Sequence, residues 1–143
     1  MNLSDSITSR LHKIITSGQS NATDRLNISL RLLAKWRSVL IQNTILKDSG
    51  TEVLQGPFEG LKFIKASSEG CHIAKLIGCY EQPIHQYIKE AINFKYKYVI
   101  NIGCAEGYYA VGLALKMPDT VVIAHDIDEA ARHSCDELAL KNG

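Results

Sequence analysis

Tyr98-Val99-Ile100-Asn101-Ile102-Gly103-Cys104-Ala105-Glu106-Gly107-Tyr108-Tyr109 is the stretch on which the fold turns. Its first five residues form a short apolar run suited to a buried parallel strand, and glycines then break it. Tyr109 to Lys116 reads as a helix that ends near Pro118. Val121 to Ala124 supplies a second buried strand, and Asp128 stands where it can cap a last helix over Glu129–Lys141, closed by Asn142-Gly143. Strand, Gly-rich turn, helix, strand and helix form the opening of a doubly wound α/β sheet, left incomplete here.

Each part of the turn has a physical task. Gly103 lets the backbone turn sharply as it leaves the strand. The small Ala105 and the bare Gly107 let a ligand lie against the main chain, and the next helix aims its free N–H groups at the same place. Asp126 and its neighbour Ile127 follow the second strand, where a carboxylate can accept both hydroxyls of a ribose. A dinucleotide fingerprint needs its third glycine at position 108, which is Tyr108, too bulky beside a pyrophosphate. The small residues fall instead as G-x-A-x-G, a spacing that favours S-adenosylmethionine over NAD.

From Gly78 onward the chain resembles the first half of the Rossmann-like S-adenosylmethionine-dependent methyltransferases, those of the FkbM type above all. The resemblance is carried by Gly78-Cys79-Tyr80-Glu81, by Asn101-Ile102-Gly103 through Gly107-Tyr108-Tyr109, by Asp126-Ile127-Asp128 and by Asn142-Gly143. It implies a cofactor site of Asn101, Gly103, Ala105, Glu106, Gly107, Tyr108, Asp126 and Ile127, with Tyr80 and Glu81 approaching it. Asn101 stands where the family has an acid, so the charge attraction for the cofactor's amino group is lost. Glu106 is either a partial replacement for that charge or an exposed surface residue. The implied chemistry is in-line attack on the cofactor's methyl group by an O, N or C nucleophile. The family's catalytic groups come from later strands, so no catalytic residue is assigned and the methyl acceptor stays unknown. Without those strands, both edges of the two-strand pair lack partners, and self-association through edges, apolar faces or the N-terminal helices is expected. The resemblance makes the chain part of a longer methyltransferase, inactive alone. The alternatives are a natural short or degenerate form, a non-catalytic interaction module and, further off, an NAD-binding domain.

Upstream, residues 1–50 read as a helical region and 51–95 as a linking strand, loop and helix before the Rossmann-like part at 96–143. Leu3, Ile7, Leu11 and Ile14 recur at helical spacing. A longer helix over Thr23–Leu46 is announced by Asn21 and Asp24 and carries Leu26, Leu30, Leu33 and Leu40 on one face, with Trp36 near that stripe. Gln55 to Gly60 is turn-rich, Leu61 to Ile64 fits a short strand, and Ser67 to Gly70 is a loop. A helix starts around Pro83, with Ile84, Ile88, Ala91 and Ile92 on one side.

Composition sets outer limits. An apolar fraction of 45% and a charged fraction of 22% over 143 residues are ordinary for a globular protein and argue against disorder, and a net charge of +1 gives no bulk pull toward nucleic acid or membranes. No apolar run approaches the roughly 20 residues needed to span a bilayer. Cys71, Cys79, Cys104 and Cys135 show neither metal-ligand nor disulfide spacing. His72, His85 and His133 have no ligand spacing, whereas His125 can flank an adenine. Cys104 is either a thiol activated by the helix N-terminus or a small packing residue. Tyr108 and Tyr109 either face a sulfonium or pack in the core. The expected setting is a reduced cytoplasm, with the Asn21 and Asn27 sequons unused.

Overall fold

The computed structural model of the protein describes residues 2–18, 20–64 and 71–143. It divides into two compact units, Met1–Thr44 and Ile45–Gly143. Residues on both sides of 95/96 belong to the second unit. The Ser67–Gly70 loop lies outside the described residues.

The first unit holds α1 (Leu3–Thr16) and most of α2 (Ala22–Ser49). Asn2 opens α1 by accepting from the Asp5 amide at 2.9 Å, while the Asp5 carboxylate takes the Asn2 amide. Asn21 caps α2 as its spacing implied, accepting from the Asp24 amide at 2.9 Å. Arg25 closes the connection by donating to the carbonyls of Ser17 and Ser20. The leucine stripe behaves otherwise than expected. Leu26 and Leu30 are exposed, and the buried residues of α2 are Ser29 and Leu32, on a neighbouring face.

The second unit adds α3 (His72–Leu76), α4 (His85–Phe94), β1 (Tyr98–Ile102), α5 (Tyr108–Lys116), β2 (Val121–His125) and α6 (Glu129–Asn142). Pro83 sits in a 3-10 turn, Gln82–Ile84, that leads into α4. β1 and β2 pair in parallel, Tyr98 beside Val121 and Ile102 beside His125, with α5 as the crossover between them. Asp128 caps α6 by accepting from the Ala130 amide at 3.0 Å.

Burial on both faces, expected of these strands, is not what forms. Val99 and Val122 pack into the core, whereas Tyr98, Ile100, Ile102, Val121 and Ile123 on the other face are exposed. α5 packs against both strands and α6 against β2.

A strap, residues 51–64, completes the core. Leu61–Ile64 is not a regular strand; a single antiparallel bridge joins Lys62 to Glu52. Amide–carbonyl bonds from Val53 to Leu61 and from Phe63 to Thr51 hold the strap as a hairpin. The hairpin sends Phe58 and Phe63 fully into the core, edge-on to Tyr108 at ring distances of 5.2 and 5.6 Å. Gly112 makes room for Phe58, since a Cβ there would stand 2.6 Å from its ring. The end of α6 grips the same strap: Asn142 brackets the Lys62 amide and carbonyl, and Lys141 donates to Phe63 and Thr51. Asn142 is thus a tie between helix and hairpin as well as a terminator.

Candidate functional site

The turn leaves β1 with an alternating backbone. Gly103, Ala105 and Gly107 have φ of 73°, 46° and 88°, so the three positions singled out by spacing are the three in left-handed conformation. The smallness read as room for a ligand is first a conformational demand. Only at Gly103 is the space beyond the missing Cβ open. At Gly107 that space belongs to Cys135 of α6, whose Sγ would lie 2.6 Å from an added Cβ. Gly107 therefore serves helix packing.

The start of the turn is pinned to the tip of β2, with the amides of Gly103 and Cys104 both donating to the His125 carbonyl. One Asp126 carboxylate oxygen accepts from the Ala105 amide at 2.9 Å and the other from the Asp128 amide at 2.9 Å. Those bonds hold its carboxyl below the usual carboxylate range. Asp126 is thus tied to the turn. Each oxygen keeps a further lone pair for a hydroxyl donor. Asn101, at the β1 end of the turn, has a buried side-chain oxygen without a hydrogen-bond partner among the described residues. Ile127 is 94% exposed and His125 is exposed, and neither lines the recess beside the turn.

Beside the turn is a recess of about 200 Å³ that brings together Gly103, Ala105, Glu106 and Tyr108 with Tyr80 and Glu81. Asn101, Gly107, Asp126 and Ile127 are not part of its wall. Glu106 is neither an exposed residue nor a free charge. It is fully buried and meets the ammonium of Lys75, from α3, at 2.5 Å. That nitrogen also lies 4.7 Å from the Tyr80 ring centre and 5.8 Å from that of Tyr108. Glu106 is spent on Lys75 and does not stand in for the acid missing at Asn101.

Tyr108 points inward and is 4% exposed; its hydroxyl has no hydrogen-bond partner among the described residues. Burial, then the neighbouring Cys79 and Tyr80, pushes its phenol up to about 12. Tyr109 stays nearer the surface and donates to the Glu81 carboxylate at 2.5 Å; burial and that bond raise its phenol above the ordinary range. Glu81 has a left-handed backbone, φ 49°, uncommon for a residue with a Cβ. The loop holding it is over-determined. The amides of Cys79 and Tyr80 share the Ala74 carbonyl, and a ring nitrogen of His85 meets the Tyr80 carbonyl at 2.8 Å. A Cβ on Gly78 would fall 1.7 Å from the Gln55 oxygen, so position 78 must be glycine.

Cys104 and Cys135 are both buried. Burial, with Cys104 as neighbour, pushes the Cys135 thiol up to about 12, so Cys135 is a packing thiol. His72 is buried and donates through Nε2 to the Ile64 carbonyl at 2.8 Å. A wider groove of about 620 Å³ lies between α5, β2 and α6, lined mainly by small apolar residues such as Ala110, Ala114 and Ala139.

Lys75 and Phe58 are what sequence reading missed. A lone cation inside the apolar run Ile73-Ala74-Lys75-Leu76-Ile77 was the available signal for the first. Among the described residues no helix is long and apolar enough to cross a membrane, and no cluster of His, Cys, Asp or Glu could hold a metal ion. No family model, curated protein or solved structure matches the chain.

Proposed function

We propose that the turn and its flanking strand tips bind S-adenosylmethionine and that the protein belongs to the Rossmann-like methyltransferases. One observation carries the reading: a parallel β–α–β unit with a left-handed turn at the tip of β1, tied to a carboxylate at the tip of β2. The residues fit the cofactor in part. The unpartnered Asn101 oxygen offers an acceptor for an ammonium group, Gly103 leaves open space, and Asp126 keeps lone pairs for a ribose. Glu106 and Gly107 are committed to the protein's own packing. When bound, the cofactor would supply an activated methyl group on a sulfonium leaving group. The chain's part is to orient the ligand against a turn that Asp126 and Lys75 hold in place. The methyl acceptor is left unassigned.

Calorimetric titration of the chain with S-adenosylmethionine and, separately, with NAD tests this. Binding of the first alone is expected, weaker than micromolar because Asn101 brings no charge, and lost in Asp126→Ala. Saturable binding of NAD, or of neither ligand, sinks the proposal. A second reading, a non-catalytic interaction module, draws on α2, where Leu26 and Leu30 stay exposed. Absence of both ligands would favour it.

A further inference from the structure

In the recess beside the turn the buried charges cancel and the exposed one does not. The ammonium of Lys75 meets the carboxylate of Glu106, both of them buried. On the exposed side Glu81 accepts from the Tyr109 hydroxyl, a neutral donor, and among the described residues no cation pairs with it. A carboxylate offers about four acceptor positions, and Tyr109 fills one. The wall thus keeps one uncompensated negative charge. Its rings suit a cation too: Tyr80, Tyr108 and Tyr109 line the recess, and the chain's own Lys75 ammonium lies 4.7 Å from the Tyr80 ring centre. One carboxylate among phenols supplies too few oxygens for a hard metal ion. The volume of about 200 Å³ is below the roughly 300 Å³ at which sites for whole small molecules begin, so an end group fits.

We infer that the recess is a subsite for a primary ammonium group, with Glu81 as its counter-ion. Glu81 brings, from the loop before α4, a negative charge that Asn101 lacks and that Glu106 spends on Lys75. The loop is held by the Cys79 and Tyr80 amides on the Ala74 carbonyl and by His85 on the Tyr80 carbonyl, so the carboxylate is in place before any ligand arrives. Two sources share this chemistry. One is the amino-acid end of the proposed cofactor, in which case the inference rests on that reading. The other is a separate alkylamine, in which case it stands without it.

Two pairs of probes, titrated into the full chain, test the assignment. Butylammonium and butanol share a shape and differ in charge; amide resonances around the recess should shift saturably with the first and not with the second. S-adenosylhomocysteine and methylthioadenosine, both neutral at sulfur, differ in the amino-acid end. Calorimetry should find the first tighter by about tenfold or more where the cofactor is the source, and the two equal where a separate amine is. Glu81→Gln keeps the side chain's shape and should abolish the butylammonium response and any gap between the nucleosides, with an unchanged circular dichroism spectrum. A butylammonium response without binding of either nucleoside keeps the subsite and removes the cofactor reading alone. The inference is overturned if the cation does no better than the alcohol and the nucleosides show no gap. Responses that survive Glu81→Gln overturn it equally.

Discussion

Ala105 carries a Cβ at a φ of 46°, flanked by two glycines in the same left-handed region. A left-handed residue with a side chain costs about 1–2 kcal/mol, and replacing it with glycine gives part of that back to the unfolded chain's entropy. Ala105→Gly is therefore expected to raise stability by about 1 kcal/mol in urea unfolding. Gly107→Ala should do the opposite and more severely, by about 3 kcal/mol, since it adds a backbone penalty to a collision with Cys135. Gly103→Ala meets open space and pays the backbone penalty alone. Equal losses at Gly103 and Gly107 would refute this division of labour. The spacing of the three small residues was legible in the chain. That one faces open space and another faces a helix was not, because Cys135 lies 28 positions further along and only folding brings it there.

Between elements, the Lys75–Glu106 pair fastens α3 to the turn. Its worth as an attraction is small, because both ions leave water, but breaking it strands a buried charge. Lys75→Met is expected to cost about 3–5 kcal/mol, and adding Glu106→Gln should recover at least half of it. A loss below about 1 kcal/mol, or a double variant worse than the single, would show that the pair does not hold the turn. The helices after Pro83 and after Asp128, and the strands either side of the turn, followed from caps, periodicity and apolar runs. α3 and the strap hairpin did not. A five-residue helix has too few turns for a periodic signal, and the strap is held by long-range bonds to Leu76, Lys141 and Asn142.

Across the molecule, the aromatic cluster of Phe58, Phe63, Tyr80, Tyr108 and Tyr109 joins the strap, the Gly78–Glu81 loop and α5. Two of its phenols are harder to ionise than in the unfolded chain, Tyr108 with its value raised from 10.0 to about 12. A raised native value stabilises the fold fully below the unfolded value and loses that contribution as pH rises through the native one. Stability is thus expected to fall by roughly 2–3 kcal/mol between pH 10 and about 12 on account of Tyr108, and Tyr108→Phe should flatten that decline. A tyrosinate titration should show Tyr108 and Tyr109 ionising above the ordinary phenol range or only with unfolding. Ionisation of Tyr108 and Tyr109 in the ordinary phenol range would contradict it.

By itself the sequence determined what rests on neighbours: the strand–turn–helix–strand–helix order, the caps at Asn21 and Asp128, and the carboxylate after β2. Those depend on local periodicity, backbone freedom and hydrogen bonds spanning a few residues. Tertiary structure alone decided the rest. It buried Glu106 against Lys75, turned Tyr108 inward, gave Gly107 to Cys135 and left Ile100 and Ile123 exposed. Each of these depends on which distant residue arrives, and the cost of burying a charge or exposing an apolar face is set only when it does.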